Sequence, residues 1–515
     1  MITLRRYPLL AGILIACMLA PGSAAVSADP GDHAAQALPR PAALEPAVRF
    51  WTRIYTQVPV ERGLIHDEGP GLRVYAAIDV APPGQWAERR RQVRAALDTH
   101  RSALRALAER SMRPATPLER KLLARLPAPA NADTALAVAE RLRFQGGLRE
   151  RFRAGLMRSG RWQGYIRKVL AQAGVPPALA ALPHVESSFN PLARSHAGAA
   201  GLWQFTVGTG REYMRVDRVI DERLDPWASS RAAAALLAYN QARLGSWPLA
   251  ITAYNHGLYG MLRAVDATGS DDYVRIRSSY DGPRFGFASR NFYPALLAAA
   301  DVDAAAQSYF PGLERDPPLQ PVRVALPHFT PVETLTDGLG VDADSLQALN
   351  PALGPAVWDG RKFIPRGHAL ALPAGLTDWS RAVAGLPGSR LYQGQRPDLA
   401  HAVAAGETLS GIAARYGVGL KTLMARNDIN DAHLIRAGQR LLLPSAGVMP
   451  AAVGGRHYEV RPGDTLGAIA LRHGVDRQRL ARLNQLDDPD RLRVGQRLLL
   501  AEAPRAAVVD IDAQP

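Results

Sequence analysis

The stretch His184-Val185-Glu186-Ser187-Ser188-Phe189-Asn190-Pro191 places a single carboxyl group at the end of an apolar run. Residues 175–185 are apolar except for one histidine, and their spacing is helical. A carboxyl group among apolar neighbours has a raised pKa, because desolvation disfavours its anion, and it can then donate a proton near neutral pH. The stretch therefore makes Glu186 a candidate general acid, although an isolated glutamate at a helix end is more often a solvated or capping residue.

The region around this stretch has the apolar periodicity of α-helices. One series precedes it, and a second follows Asp225-Pro226, a helix-start signal with aspartate as N-cap and proline at the first position. The first series is Trp162, Tyr165, Ile166, Val169 and Leu170, and the second is Ala232, Ala235, Leu236 and Tyr239. The middle of the chain is therefore predicted to be α-rich, and residues 45–149 to be mostly helical with Pro-rich breaks.

Two further segments contain residues suited to a binding site. Residues 198–205, Gly-Ala-Ala-Gly-Leu-Trp-Gln-Phe, form a small-residue loop whose glycines would let the backbone approach a bulky substrate. Trp203 in this loop either packs on a sugar face or belongs to the core. Residues 253–257, Ala-Tyr-Asn-His-Gly, bring the hydroxyl of Tyr254 and the amide of Asn255 to a helix terminus, where core packing and C-terminal capping are the simpler roles.

The last third of the chain contains two copies of one module. The matching pairs are Gly406-Glu407-Thr408-Leu409 with Gly463-Asp464-Thr465-Leu466, Asn427 with Asn484, and Gly438-Gln439-Arg440-Leu441 with Gly495-Gln496-Arg497-Leu498. Each copy is predicted to contain a strand, a turn, two helices and a closing strand, with Thr408 or Thr465 capping the first helix.

These copies resemble LysM domains, which implies a βααβ fold and binding to the N-acetylglucosamine backbone of peptidoglycan or chitin. The glycan-binding residues that the resemblance implies are Gly406, Thr408, Asn427, Gly463, Asp464, Thr465 and Asn484. The stretch 331–373 resembles a degenerate third copy, because its Thr334-to-Asn350 spacing is 16 residues instead of 19 and it lacks the turn glycine.

The three segments of the middle region together resemble the ordered motifs of family 1 lytic transglycosylases. Glu186-Ser187, Gly201-Leu202-Trp203-Gln204 and Ala253-Tyr254-Asn255 carry the resemblance, which covers residues 152–297. Trp203 replaces the usual methionine. The later tyrosine of the family aligns with Phe292, so the adjacent Tyr293 is carried over in its place.

This resemblance implies a lysozyme-like α domain and an enzyme that cleaves the β-1,4 MurNAc–GlcNAc bond of peptidoglycan without hydrolysis. The products would be 1,6-anhydromuramoyl sugars, formed in cell-wall remodelling. Glu186 would act first as acid and then as base, while the muramoyl N-acetyl group assists. Ser187 and Gln204 would orient Glu186 and the sugar, and Tyr254 and Asn255 would position the N-acetyl group. Gly201, Trp203 and Tyr293 complete the implied substrate-binding set.

Two alternatives remain open from the residues. Most glycosidases use a pair of carboxyl groups, and Asp217, Asp221, Glu222 or Asp225 could serve as the second one in a goose-type lysozyme-like muramidase. The other alternative is a non-catalytic peptidoglycan-binding protein in which the middle domain is a vestige.

The N-terminus has the features of an export signal. Arg5 and Arg6 precede an apolar core at residues 9–20 that is too short for a permanent membrane span. Cleavage after Ala28 would release a periplasmic protein. The rival is Leu14-Ile15-Ala16-Cys17, which resembles a bacterial lipobox and would anchor the protein by lipidation of Cys17, with the outer membrane as its destination.

Composition excludes several classes of protein. The 515 residues are 47% apolar and 21% charged, which is typical of globular domains and excludes disordered and collagenous chains. Lysine and arginine outnumber aspartate and glutamate by 62 to 47, but the arginines are scattered, so nucleic acid is not an expected partner. A single cysteine excludes a disulfide framework. We expect no metal or cofactor, peptidoglycan glycan strands as ligand, and a monomer.

The predicted domains follow from these observations. They are a signal peptide at 1–28, a linker and helical extension at 29–150, the lysozyme-like catalytic domain at 151–310, a degenerate LysM-like segment at 321–375, LysM 1 at 399–445, LysM 2 at 456–501 and a tail at 502–515.

Overall fold

The computed structural model describes residues 38–500 except 70, 376–377, 399, 417, 444–456, 461–463, 474–476, 485, 487 and 489–491. The predicted signal peptide, Cys17, Gly463 and the tail at 502–515 lie outside the described residues. Within the described part of the chain, no helix combines the length and the apolar character needed to cross a membrane.

The first described part, up to residue 146, contains helices and a small sheet. Its elements are α1 (Glu45–Thr56), β1 (Arg62–Asp67), β2 (Val74–Asp79), α2 (Trp86–Glu109), α3 (Pro117–Leu123), α4 (Ala132–Arg141) and β3 (Leu142–Gly146). The strands form an antiparallel sheet in the order β2-β1-β3, with Gly63 opposite both Ile78 and Gly146. The prediction of a mostly helical structure for this part did not include the sheet. The reason is that β1 is buried along nearly its whole length and so has no alternating pattern.

Helix α1 belongs to the core of the middle domain. Leu44, Val48 and Ile54 are almost completely buried in one hydrophobic cluster with residues between Phe152 and Leu313. The sheet has a separate small core under α2 and α4, formed around Ile65. The core of the middle domain therefore extends across the predicted boundary at residue 150.

The middle domain is mainly helical, as predicted. Its helices are α5 (Arg149–Ser159), α6 (Gln163–Gln172), α7 (Leu182–Glu186), α8 (Val207–Tyr213), α9 (Pro226–Leu244), α10 (Trp247–His256), α11 (Leu258–Thr268), α12 (Tyr273–Ser279), α13 (Phe287–Ala304) and α14 (Ala306–Tyr309). The predicted N-cap is confirmed, because Asp225 Oδ1 accepts hydrogen bonds from the backbone amides of Trp227 and Ala228 at 2.8 and 3.0 Å.

The segment predicted as a degenerate repeat has a strand–helix–helix–strand order with one extra turn of helix. It consists of β4 (Val322–Ala325), α15 (Val332–Leu339), α16 (Ala343–Leu349), α17 (Pro355–Trp358) and β5 (Ala369–Leu372), and α18 (Trp379–Ala384) follows it. Strands β4 and β5 pair antiparallel. The segment packs against the middle domain. The buried Arg323 donates a hydrogen bond to Asp225 at 2.8 Å, and the Asp221 amide donates to the Ala352 carbonyl at 2.8 Å.

Both C-terminal repeats have the predicted βααβ order. The first contains β6 (Ala400–Ala402), α19 (Leu409–Tyr416), α20 (Leu420–Arg426) and β7 (Arg440–Leu442), and the second contains β8 (His457–Glu459), α21 (Leu466–His473), α22 (Arg477–Leu483) and β9 (Arg497–Leu499). The two strands of each repeat pair antiparallel. Thr408 and Thr465 cap the first helices, since each hydroxyl accepts an amide hydrogen bond at 3.2 Å from three residues on.

An asparagine at the end of the second helix connects that helix to the last strand in each of the three modules. The Asn427 Nδ2 donates to the Leu423 and Leu442 carbonyls at 2.8 Å, and its Oδ1 accepts from the Leu442 amide at 2.6 Å. Asn484 makes the same three contacts, and so does Asn350 in the segment at 321–375. These contacts use both amide protons of Asn427 and Asn484, so each side chain joins the second helix to the last strand, and the glycan contact of these residues stays a prediction.

Candidate active site

Glu186 is the last residue of α7, and the chain turns sharply after it. Ser188 and Phe189 have φ angles of 52° and 55°, a left-handed conformation that costs L-residues about 1–2 kcal/mol each. Arg158 holds this turn, since its Nε and Nη2 donate to the Ser188 carbonyl oxygen at 3.2 and 2.6 Å. The direction in which Glu186 leaves the helix is therefore determined by a strained turn that the half-buried Arg158 guanidinium holds in place.

A buried polar pair supports α7 from the side of the core. The His184 ring lies between Phe152 and Phe189, at centroid distances of 4.8 and 4.5 Å, and its Nε2 is hydrogen-bonded to Asp303 Oδ1 at 3.0 Å. Burial opposes ionisation of Asp303, but the bond to His184 and the charge of Arg315 lower its pKa to about 2. Helix α7 is thus anchored to α13 by a pair that the sequence motifs did not reveal.

Four of the predicted site residues line one cleft of about 970 Å³: Glu186, Ser187, Gln204 and Asn255. They come from the end of α7, the loop before α8 and the end of α10. Gly201, Trp203, Tyr254 and Tyr293 are not in the cleft lining. The three motifs therefore converge: Glu186 and Ser187 both face the open space, whereas each of the other two motifs contributes one residue to it.

The Glu186 carboxyl group has the electrostatic environment of a proton donor. Its residue is partly accessible from the cleft, and no described residue engages its carboxyl group in a hydrogen bond or ion pair. Burial raises its pKa to about 8. The group is therefore mostly protonated at neutral pH, as a general acid must be.

Ser187 and Gln204 connect the catalytic turn to the glycine-containing loop. Ser187 Oγ donates to the Leu202 carbonyl at 2.8 Å, which ties the end of α7 to that loop. Gln204 has a φ of 49°, and its Nε2 donates to the carbonyls of Gly201 and Ala193 at 2.9 and 3.2 Å. These contacts hold both side chains at the cleft surface.

Position 201 requires a glycine because two segments of backbone approach each other closely there. Its φ is 84°, and a Cβ at this position would lie 1.7 Å from the Arg223 carbonyl oxygen. The buried Arg223 guanidinium donates to the carbonyls of Gly198 and Phe205 at 2.8 and 3.0 Å, and Asp221 binds the same guanidinium through two contacts of 2.8 Å. Gly201 thus acts through the backbone and not through substrate contact in the cleft.

The four acidic residues considered for a second catalytic carboxyl group do not line the cleft. Asp221 is paired with Arg223, and Asp225 caps α9 and binds Arg323. Asp217 and Glu222 likewise stay outside the lining. The lining contains one other carboxyl group, that of the exposed Glu150, whose Oε2 accepts a hydrogen bond from the Val60 amide at 2.8 Å. Among the described residues, no group of three or more His, Cys, Asp or Glu side chains could hold a metal ion.

Trp203 is a core residue and not a sugar platform. Its side chain is completely buried, and its Nε1 donates to Ser230 Oγ at 2.9 Å. Its carbonyl oxygen accepts a hydrogen bond of 2.7 Å from the Tyr254 hydroxyl. Burial, and after it the charge of Glu186, raises the pKa of Tyr254. The Tyr254 hydroxyl therefore holds the loop at Trp203.

Tyr293, to which a site role was carried over, does not reach the cleft. Tyr293 is completely buried and its hydroxyl donates to the Pro39 carbonyl, whereas Phe292 lines the cleft. Neighbouring residues on a helix point about 100° apart, so only one of the two can face the site. Asn255 does face it, and its Oδ1 accepts a hydrogen bond from Ser289 Oγ at 3.0 Å.

The N-terminal part of the chain supplies an aromatic wall that the motifs did not predict. Trp51 and Tyr55, one turn apart on α1, line the cleft with their ring centroids 5.8 Å apart, and Phe287 on α13 lies 6.2 Å from Trp51. Tyr55 is 3% exposed and its ring stacks on Phe152, so the half-buried Trp51 and Phe287 offer most of the aromatic surface at the cleft. The available signal was the i, i+4 pair on an amphipathic helix, which is equally typical of a core helix.

The repeats place their predicted glycan-binding residues mostly in turns. Gly406 has a φ of 82° with open space at its Cβ position, and Thr408 and Thr465 are the helix caps described above. Asp464 accepts a hydrogen bond from the Tyr458 hydroxyl at 2.6 Å, and the equivalent Glu407 is bonded to the His401 ring. In both repeats this carboxyl group ties the turn to the first strand.

Comparison with known proteins identifies the domains. The transglycosylase SLT domain family matches residues 164–275, and the LysM domain family matches residues 401–444 and 458–501. Membrane-bound lytic murein transglycosylase D of Escherichia coli (strain K12) is 28% identical over 358 residues, which covers 67% of this chain and 77% of that protein. The autolysin of Enterococcus faecalis is 28% identical over 165 residues, or 31% of this chain and 21% of that protein.

Among solved structures, the 70 kDa soluble lytic transglycosylase of Escherichia coli is 19% identical, with a TM-score of 0.25 over 46% of this chain and 38% of that chain. The domain matches confirm the resemblances drawn from the motifs and from the repeats. The chain therefore carries a transglycosylase SLT domain followed by two LysM domains, and over two thirds of its length it is similar to membrane-bound lytic murein transglycosylase D of Escherichia coli.

Proposed function

We propose that this protein is a peptidoglycan lytic transglycosylase that cleaves the β-1,4 MurNAc–GlcNAc bond and releases 1,6-anhydromuramoyl products. The observation that carries the proposal is the Glu186 carboxyl group in the cleft of an SLT domain, where it has no partner among the described residues and burial raises its pKa to about 8. The relationship to a lytic murein transglycosylase over two thirds of the chain supports it.

The chemistry requires one carboxyl group that first gives up a proton and then takes one. Glu186 protonates the glycosidic oxygen, and the C1–O bond breaks as the muramoyl N-acetyl oxygen attacks C1. The resulting carboxylate then removes the proton from the C6 hydroxyl, whose oxygen attacks C1 and displaces the N-acetyl oxygen. Ser187, Gln204 and Asn255 are the cleft residues placed to orient the sugars.

Product analysis tests this mechanism. Digestion of purified peptidoglycan is expected to give muropeptides with a 1,6-anhydro ring and no reducing end, measured by mass spectrometry before and after borohydride reduction. Glu150 at the cleft favours a muramidase as the second candidate, because it supplies a second carboxyl group. Reducing-end products that disappear in Glu150→Gln would support that candidate, and an absence of soluble products would support a binding protein.

The LysM domains are proposed to hold the enzyme on insoluble peptidoglycan. Removing residues 399–501 is expected to reduce sedimentation with peptidoglycan sacculi at least tenfold while cleavage of short soluble glycans stays within about twofold. The reason is that linked modules raise the effective concentration of each other's ligand. Removing residues 456–501 alone serves as the control, and it should give intermediate sedimentation. Equal sedimentation of all three chains would contradict the assignment.

For localisation, we propose export by the N-terminal signal and action in the periplasm. The composition of residues 1–28 supports export, and the named relative is membrane-bound. N-terminal analysis of the mature protein distinguishes cleavage after Ala28 from a lipidated Cys17.

A further inference from the structure

A second cleft, of about 1170 Å³, lies between the SLT domain and LysM 1. Its walls come from residues 207–223 of the SLT domain, from residues 356–362 of the module at 321–375, and from residues 396–398, 400 and 402 with further parts of LysM 1. It shares no lining residue with the catalytic cleft. It is therefore a separate site on the described part of the chain.

The walls of this cleft are joined by side-chain contacts. Arg218 of the SLT domain donates to the Tyr416 hydroxyl of LysM 1, and its guanidinium lies 5.8 Å from the centroid of the Tyr416 ring. Asp398, between the two domains, lies 3.7 Å from the Arg218 guanidinium and 3.1 Å from the Lys362 ammonium group. These side-chain contacts therefore hold the walls of the cleft together.

The cleft is strongly cationic. Eight arginine and lysine side chains line it, against three aspartates. Arg211, Arg396 and Arg440 form no ion pair with any carboxylate of the described residues; Arg211 Nε donates to the Val216 carbonyl at 3.2 Å, and Arg396 donates to the Gly360 carbonyl. A cleft lined mainly by one sign of charge concentrates the field and attracts ligands of the opposite sign.

We propose that this cleft binds the carboxylate-bearing peptides of peptidoglycan. The inference rests on the proposed function, because the cleft lies between the two domains that would hold the glycan strand, and the peptides project from that strand. Guanidinium groups bind carboxylates through paired hydrogen bonds. Arg211, Arg396 and Arg440 are the groups whose charge is free for this purpose.

The mixture of charges favours a peptide over a phosphate polymer. Asp217, Asp221 and Asp398 interrupt the cationic lining, so it offers no continuous row of positive charge to a chain with a charge on every unit. A peptide carries separated carboxylates and also amino groups, so it tolerates these aspartates.

The test compares binding of soluble glycan strands with and without their peptides. The full chain carrying Glu186→Gln serves as the host so that the strands are not consumed. It is expected to bind the peptide-bearing strands about tenfold more tightly, and Arg211→Gln, Arg396→Gln and Arg440→Gln together should remove this difference, since each exposed pair contributes a few-fold. Higher salt should weaken the difference, because exposed charges are screened.

The matched control changes three exposed arginines that do not line the cleft, Arg90→Gln, Arg94→Gln and Arg120→Gln, which lowers the net charge equally. The control should keep the preference for peptide-bearing strands. Equal affinity of the host for both strands would overturn the proposal, as would loss of the preference in the control. Tighter binding of inorganic polyphosphate that is lost in the cleft variant would assign the site to a phosphate polymer instead. If the proposed enzyme function is wrong, the wild-type chain will cleave neither kind of strand. This result distinguishes that failure from failure of the proposal for the cleft.

Discussion

Glu186→Gln is expected to lower peptidoglycan cleavage by at least about 10²–10⁴-fold, the contribution of general acid–base catalysis. Glutamine keeps the size and the hydrogen-bonding shape of the side chain but cannot give up and regain a proton. The measurement is the rate of soluble muropeptide release at equal protein concentration. Sedimentation with sacculi should be unchanged, because the LysM domains are intact.

The pH dependence of the same reaction follows from the raised pKa of Glu186. Cleavage needs the protonated acid, so the wild-type rate should fall as the pH rises through about 8. The stability of the folded protein should change with pH in the same direction as the rate. The carboxyl group ionises near its usual pKa of 4.5 in the unfolded chain but only near 8 in the folded one, so the free energy of unfolding should fall as the pH rises between these values. Glu186→Gln should lack this fall.

Glu150→Gln is the matched control for the catalytic variant. Glu150 is the other carboxyl group of the cleft lining, and a mechanism with one carboxyl group does not use it. Its loss should change the rate by less than about tenfold. Asp221 and Asp225 are poor controls, because they hold Arg223 and Arg323 and their substitution should lower stability. A severe loss of activity in Glu150→Gln would contradict the proposed mechanism.

Gly201→Ala is expected to lower the free energy of unfolding by about 2–5 kcal/mol. The left-handed φ costs an alanine about 1–2 kcal/mol, and forcing apart two backbone segments costs about 1–3 kcal/mol more. The new Cβ would lie 1.7 Å from the Arg223 carbonyl oxygen, so the loop must move. Because Gln204 Nε2 is bonded to the Gly201 carbonyl, activity should fall as well. Urea denaturation followed by tryptophan fluorescence measures the change.

Gly198→Ala separates the two contributions. Gly198 has a φ of 80°, close to that of Gly201, but nothing lies within 4 Å of its Cβ position. Its substitution should therefore cost only the conformational term, about 1–2 kcal/mol. Equal destabilisation by the two alanines would mean that the contact with Arg223 has no influence.

The local signals that the sequence contains were sufficient for the main assignments. Glu186 at the end of an apolar run and the N-cap signal at Asp225 act over a few residues, so they can be read without tertiary structure. The offset between Thr408 and Thr465 likewise predicted two βααβ modules, because duplicated sequences form duplicated folds.

Only the tertiary structure decided which side chains reach the cleft. Trp203 lies in a motif segment and Tyr293 was carried over from the family resemblance, yet both are completely buried, and Phe292 takes the position at the cleft. Trp51 reaches the cleft because α1 packs into the core of a domain that begins about a hundred residues later in the chain. The apolar pattern of a helix predicts that one face is buried but not what it packs against, because that depends on contacts between residues distant in sequence. The pKa of Glu186 has the same origin, since burial by the surrounding helices raises it to about 8.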